Sequence, residues 1–435
     1  MCAQHFMKRG FYTIMSAQFF SSLADNALFV TAVELLRTGG APEWQSAALV
    51  PMFALFYVVL APFVGAFADA LPKGRVMFIS NAIKVLGCLL MLFGHHPLLA
   101  YAVVGLGAAA YSPAKYGILT ELLPASQLVK ANGWIEGLTI TSIILGVLLG
   151  GQLVGPTISS HLLALHIPGV NNAAEAAIGV LIFVYALAAA FNLRIPRTSA
   201  PLVPLSQDSQ KSNFRNALAL LPDFWDCNRR LWKDKLGQIS LSTTTLFWGV
   251  SGNLRYIVLA WAAVALGYST TQASALVGVV AIGTAVGAVL ASMRMKLQHA
   301  TRVIPMGIAM GLLVICMNFI GHLWIAVPFL IVLGGLGGYL VVPMNALLQH
   351  RGHSLMGAGR SIAVQNFNEQ ACILGLGALY SLSTMWGVSA YGAITGFGAI
   401  VAATMWLIGR WYLHNCRKHG SEVRRLLDIA RKDHH

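Results

Sequence analysis

The chain has 435 residues, of which 57% are hydrophobic and 10% charged. Soluble domains carry about 25% charged residues, so there is too little polar surface here to coat a water-soluble body. The net charge of +14 would point to nucleic acid in a soluble protein, but no basic stripe with interleaved aromatics lies outside the loops, and basic loops held against an anionic leaflet explain it.

Apolar runs long enough to cross a bilayer recur along the whole chain. Met-Cys-Ala-Gln-His leads straight into the first, without the pattern of a cleavable signal. In the first half the expected spans are 10–36, 47–69, 76–94, 98–120, 130–154 and 174–193. In the second they are 238–265, 272–293, 303–321, 323–347, 358–384 and 389–412. The loop between the halves is Pro-, Ser- and Gln-rich at first, then basic and aromatic from Asn213 to Leu236. Phe214, Phe224, Trp225, Leu231 and Trp232 fit an interfacial helix, although a partly ordered linker is the preferred reading. The layout is therefore a six-helix half (1–194), a loop (195–236), a second six-helix half (237–413) and a basic tail (414–435).

Loop charges set the orientation. Lys8 and Arg9 precede span one, Lys73 and Arg75 follow span two, and Lys130 follows span four. Arg194, Arg197, Lys211, Arg215, Arg229, Arg230, Lys233 and Lys235 fill the centre loop. Arg294, Lys296, Arg302, Arg351 and Arg360 lie in later loops of the same parity, and the tail adds Arg417, Lys418, Arg424, Arg425, Arg431 and Lys432. The alternate loops are nearly bare, Arg37 being the main exception. The positive-inside rule then puts both termini and the centre loop in the cytoplasm of a multi-pass protein. Cys2, Cys88, Cys227, Cys316, Cys372 and Cys416 form no metal-spaced pair and avoid the expected outside loops, so no disulfide, metal or cofactor is expected.

The halves repeat. Phe20 and Asn26 match Phe247 and Asn253 at an offset of 227, Gly105-Leu106-Gly107 matches Gly335-Leu336-Gly337 at 230, and Ile144-Leu145-Gly146 matches Ile373-Leu374-Gly375 at 229. Pro113 and Lys115 in span four correspond to Pro343 and Asn345 in span ten. Two parallel six-helix repeats resemble the major facilitator fold, whose substrate site lies near the midplane between repeats. The stretch from Gly65 through Asp69 to Lys73-Gly74-Arg75 resembles the signature between spans two and three of that superfamily, with a longer spacing from Asp69 to Gly74. Asp69, Lys73 and Arg75 are the expected gating cluster; plain positive-inside anchoring would explain the two basic residues but not Asp69.

Ionisable residues inside a span cost roughly 2.5–3.5 kcal/mol each on insertion scales, so they usually face a cavity or a partner. Four stand out. Asp25 shares a stripe of span one with Gln18 and Ser22, next to Asn26. Lys115 lies one turn beyond Tyr111, beside Pro113; Arg255 shares a face of span seven with Trp248, Ser251 and Gly252; Glu369 lies one turn from Gln365, near Asn366 and Asn368. Asp25 and Arg255 as a structural ion pair is the competing reading. Lys84 in span three reads as a residue that snorkels to the interface, while Glu34 and Glu136 lie nearer helix ends. Arginine's planar fork suits phosphate oxygens, and cavity charges of both signs suit a zwitterion better than a sugar. No nucleophile–base pair is visible, so an enzyme is not expected.

A closer resemblance rests on Asp25-Asn26-Ala27-Leu28, Ala61-Pro62-Phe63-Val64-Gly65, Gly107 to Gly117 with Tyr111, Pro113 and Lys115, Val342 to Gln349 with Asn345, and Ala363-Val364-Gln365-Asn366. These are similar to the lysophospholipid transporter family (LplT) of Gram-negative bacteria over about residues 15–410. The resemblance implies inward flipping of 2-acyl-glycerophosphoethanolamine across the inner membrane, for reacylation by a separate cytoplasmic acyltransferase/acyl-ACP synthetase. A monomer with membrane lipids and lysolipid as its partners is expected, without nucleic acid. Arg255 and Lys115 would hold the phosphate; Asp25, with Glu369, would face the ethanolamine or pair with Arg255 when empty. Asn26, Tyr111, Gln365 and Asn366 complete the expected substrate set. The alternative is a proton-coupled exporter of drugs or amphiphilic metabolites, with Asp25 and Glu369 carrying the proton; a scaffold that moves nothing is a further rival, disfavoured by the stripe and the repeat.

Overall fold

A computed structural model of the chain describes residues 2–122, 125–198, 218–295, 297–356 and 358–432. Each expected span is a helix or a broken helix. The first half holds α1 (Cys2–Thr38), α2 (Glu43–Val59), α3 (Ala61–Ala70), α4 (Lys73–Leu92), α5 (Pro97–Leu122), α6 (Ala125–Val154), α7 (Pro156–Leu163) and α8 (Ala173–Leu193). Then follow α9 (Leu220–Lys233), α10 (Gly237–Ala265), α11 (Thr270–Arg294), α12 (Ile304–Cys316), α13 (Leu323–Met356), α14 (Ala358–Met385), α15 (Ala390–Lys418) and α16 (Gly420–Lys432).

Among the described residues, eight helical stretches are long and apolar enough to cross a membrane, and a ninth counts if the pair Leu138–Val154 and Pro156–Leu163, bent by 62°, is one span. Three of the twelve expected spans fall outside that test, for visible reasons. The second is broken at Leu60, with Pro62 in the first turn of α3. The seventh, α10, carries Gln238, Ser240, Ser242, Thr243 and Thr244, all buried. The eleventh, α14, carries Gln365, Asn366, Asn368 and Glu369. Polar side chains are tolerated in a spanning helix where they face protein instead of lipid.

The chain forms two compact units. One is Met1–Leu221 with Ser269–Gly278; the other is Pro222–Tyr268 with Val279–His435. Inside the first, Thr270 donates to the Glu34 carboxylate and accepts from Arg37 Nη1 at 3.0 Å, which gives the basic exception among the bare loops a structural partner. Inside the second, α9 is an ordered amphipathic helix over the C-terminal part of the centre loop, while residues 199–217, with Phe214, lie outside the described residues. Phe224 and Leu231 are buried, Phe224 and Trp225 pack edge-on against Phe367 of α14, and Trp232 Nε1 donates to Asn368 Oδ1 at 3.1 Å. Just beyond α9, Asp234 receives Arg351 through two bonds, Nε at 3.1 Å and Nη2 at 2.6 Å, and accepts the Gly237 amide at 2.7 Å. Arg351 is thus a buried structural residue and not a loop charge.

The repeat seen in sequence has a physical counterpart in each unit. Asn26 Nδ2 donates to Ser22 O and Asn253 Nδ2 to Gly249 O, both at 2.8 Å, and Asn253 also reaches Ile373 O at 3.1 Å. Gly107 is small because α4 crosses it: a methyl group there would lie 2.6 Å from Ser80 O and 2.7 Å from Lys84 Cγ. Membrane helices approach closely through such small residues.

Candidate functional site

In the N-terminal unit, α1, α4, α5 and α8 converge on Asp25. Lys84 Nζ reaches Asp25 Oδ2 at 2.7 Å, and Tyr185 Oη donates to Asp25 Oδ1 at 2.7 Å. Lys84 also donates to Ser21 Oγ at 3.0 Å, and Ser21 donates to Asn81 Oδ1 at 2.8 Å. The ammonium sits 5.1 Å from the Tyr111 ring centroid and 5.5 Å from that of Tyr185, within cation–π range. Lys84 is 1% exposed and the Asp25 side chain 21%. The snorkelling reading of Lys84 is therefore overturned. It sits in the middle of a 20-residue helix, too far from either end for its stem to reach water, and turns inward to the carboxylate. Asp25 is thus engaged by Lys84 and Tyr185.

Tyr111 and Lys115 are both buried on α5. Among the described residues the Tyr111 hydroxyl and the Asn81 amide nitrogen have no hydrogen-bond partner, an unusual state for buried polar atoms. Asn26 lies on the same turn of α1 as Asp25 but faces α6, where a methyl group on Gly146 would lie 2.8 Å from its Cβ.

In the C-terminal unit, α13 and α14 build a second polar cluster. The Gln365 amide donates to Asn345 Oδ1 at 2.6 Å and to Glu369 Oε1 at 2.8 Å. Gln365 and Glu369 are buried, while Asn366 and Arg255 are partly exposed. Asn368, near Glu369 in sequence, faces α9 instead and donates to Asn228 Oδ1 at 2.8 Å. Of the expected gating residues, Lys73 is buried and donates to Ala68 O at 2.8 Å, Arg75 is exposed, and the Asp69 side chain lies outside the described residues.

Lys84 and Tyr185 are the functional candidates that reading the residues missed. The signal for Lys84 was available in its mid-span position beside Ser80 and Asn81. Tyr185 gave none, since its partner is 160 residues away.

Helix-lined units carrying buried charges in spanning helices describe a multi-pass membrane transporter. The Major Facilitator Superfamily family model matches residues 14–375. Solved structures of the same fold include a bacterial homolog of the human lysosomal transporter Spinster (TM-score 0.64, 17% identity, covering 94% of this chain and 98% of that one). The nucleoside transporter NupG is another (TM-score 0.66, 12% identity, covering 93% and 99%). Lysophospholipid transporters LplT of Yersinia pestis (strain Pestoides F) and Yersinia pseudotuberculosis serotype O:3 (strain YPIII) are each 41% identical over 382 residues, 88% of both chains. The chain belongs to the major facilitator superfamily and, within it, to the lysophospholipid transporter family LplT, whose members are transporters and not enzymes.

Proposed function

We propose that the chain carries lysophospholipids, chiefly 2-acyl-glycerophosphoethanolamine, to the cytoplasmic leaflet of the bacterial inner membrane, both of its termini lying in the cytoplasm. The observation that carries this reading is the 41% identity to the LplT relatives across 88% of both chains. A separate cytoplasmic acyltransferase/acyl-ACP synthetase would then restore the missing acyl chain.

The N-terminal unit contributes Asp25, Asn26, Tyr111 and Lys115, and the C-terminal unit Arg255, Gln365, Asn366 and Glu369. Arg255 and Lys115 take the phosphate, where charge-assisted bonds are strongest. Asp25 and Glu369 take the ethanolamine ammonium. Because Asp25 already holds Lys84, the incoming ammonium competes with a lysine for the carboxylate, and the unpartnered Tyr111 hydroxyl stands beside that exchange. Asp69, Lys73 and Arg75 act in gating at the cytoplasmic end.

The test is uptake of labelled lysophosphatidylethanolamine by spheroplasts that lack their own lysolipid transporter and keep the acyltransferase. Conversion to phosphatidylethanolamine, lost in Arg255→Ala at equal protein level, is the expected result. Absence of conversion by well-folded protein refutes the substrate, and unchanged conversion by Arg255→Ala removes that residue from the site.

A further inference from the structure

At the end of the N-terminal unit where α3 turns into α4 and α8 terminates, a cavity of about 220 Å³ is lined by Lys73, Gly74, Arg75, Asn192, Ile195 and Arg197, among others. It is below the roughly 300–1,000 Å³ of sites for drug-sized ligands, so its occupant is small. Three of the six are cations. Lys73 is buried, its stem lying across Gly117, where a methyl group would come within 3.2 Å of Cε. Arg75 and Arg197 are exposed and have no ion-pair partner among the described residues.

A second observation is independent of charge. Asn192 is 1% exposed, yet among the described residues neither its amide nitrogen nor its amide oxygen has a hydrogen-bond partner. Leaving such a group unmet is costly, and its nitrogen can donate to an oxyanion. The geometry around it is tight by construction: a methyl group on Gly74 would lie 2.8 Å from Asn192 O and 3.1 Å from Ile195 Cβ. Glycine thus lets the first turn of α4 sit directly on the end of α8 and gathers the cations. The residue before α4, Pro72, makes no side-chain cap, and the positive end of this 20-residue helix adds to the field.

We propose that this cavity is an anion site that takes a phosphate group, distinct from the charges assigned to the transported lipid. The occupant is either the headgroup of an anionic phospholipid in the adjoining leaflet or free phosphate. The inference does not rest on the substrate proposed above.

The experiment uses purified full-length protein and native mass spectrometry, with phosphatidylglycerol, phosphatidylcholine and inorganic phosphate as probes. Arg75→Gln/Arg197→Gln and Asn192→Leu are compared with the parent chain after their elution profiles are matched. Preferential retention of phosphatidylglycerol over phosphatidylcholine, reduced about tenfold or more in both variants, identifies a lipid headgroup. Binding of inorganic phosphate without lipid preference, lost in the same variants, identifies free phosphate. Equal retention of every probe by the parent chain and both variants overturns the site.

Discussion

Around Asp25 the N-terminal unit closes a carboxylate with a lysine and a phenol, whereas around Glu369 the C-terminal unit meets a carboxylate with an amide that also holds Asn345. The first arrangement is self-neutralising. Its ion pair stands only if both members stay, because a lone buried charge is far costlier than the pair. In the second, the Gln365 amide that reaches the carboxylate is neutral and can exchange partners, since an amide carries both donors and an acceptor. One cluster is a fixed point that a competing cation must open; the other can rearrange around a ligand at small cost.

Removing one member of the fixed pair is the harshest way to break this contrast. Lys84→Met should destabilise the protein by about 3–5 kcal/mol and abolish uptake, read as loss of the monodisperse peak in thermal scans by fluorescence-detected chromatography. Asp25→Asn/Lys84→Met should recover much of that loss without restoring uptake; a double variant no more stable than Lys84→Met would show that packing, and not charge, holds Lys84.

Displacing the helix that carries Lys84 is the next test. Gly107→Ala forces α4 away from α5 and should cost about 1–3 kcal/mol, visible as a lower midpoint in the same scan. In the C-terminal unit, Gln365→Leu removes two bonds from the exchangeable cluster. Polar contacts between membrane helices are worth about 0.6–1.7 kcal/mol, so stability should fall slightly while lysolipid uptake falls severalfold. A loss as large as that of Lys84→Met would erase the contrast between the clusters. The smallest effect is expected at the exposed Arg230–Asp226 pair on α9, where Arg230→Ala should change stability by no more than about 0.5 kcal/mol.

The fold was legible because lipid imposes long apolar runs and charge-poor alternate loops, both local properties of the chain. Asn26 and Asn253 could be matched by offset because they bond their own helices. Lys84 was not legible in the same way. Its mid-span place beside Ser80 and Asn81 marks a face that meets protein, but its partner Asp25 lies 59 residues away. The same holds for α9, whose apolar stripe means burial only once Phe367 and Asn368 of α14 are in place, and for Arg351, whose partner Asp234 is 117 residues earlier. The helices α10 and α14 were legible as spans despite the polar residues that lower their apolar signal.

The pairing of Asp25 with Lys84 also bears on how the molecule is born. Asp25 is synthesised 59 residues before Lys84 and 160 before Tyr185. At a synthesis rate of roughly 5–20 residues per second, helix one therefore waits some seconds for its lysine and longer for its tyrosine. During that interval an ionised carboxylate has no cation to meet in the bilayer. When α4 reaches helix one, Lys84 meets that carboxylate, so the growing half lowers the cost of its own first helix as it assembles.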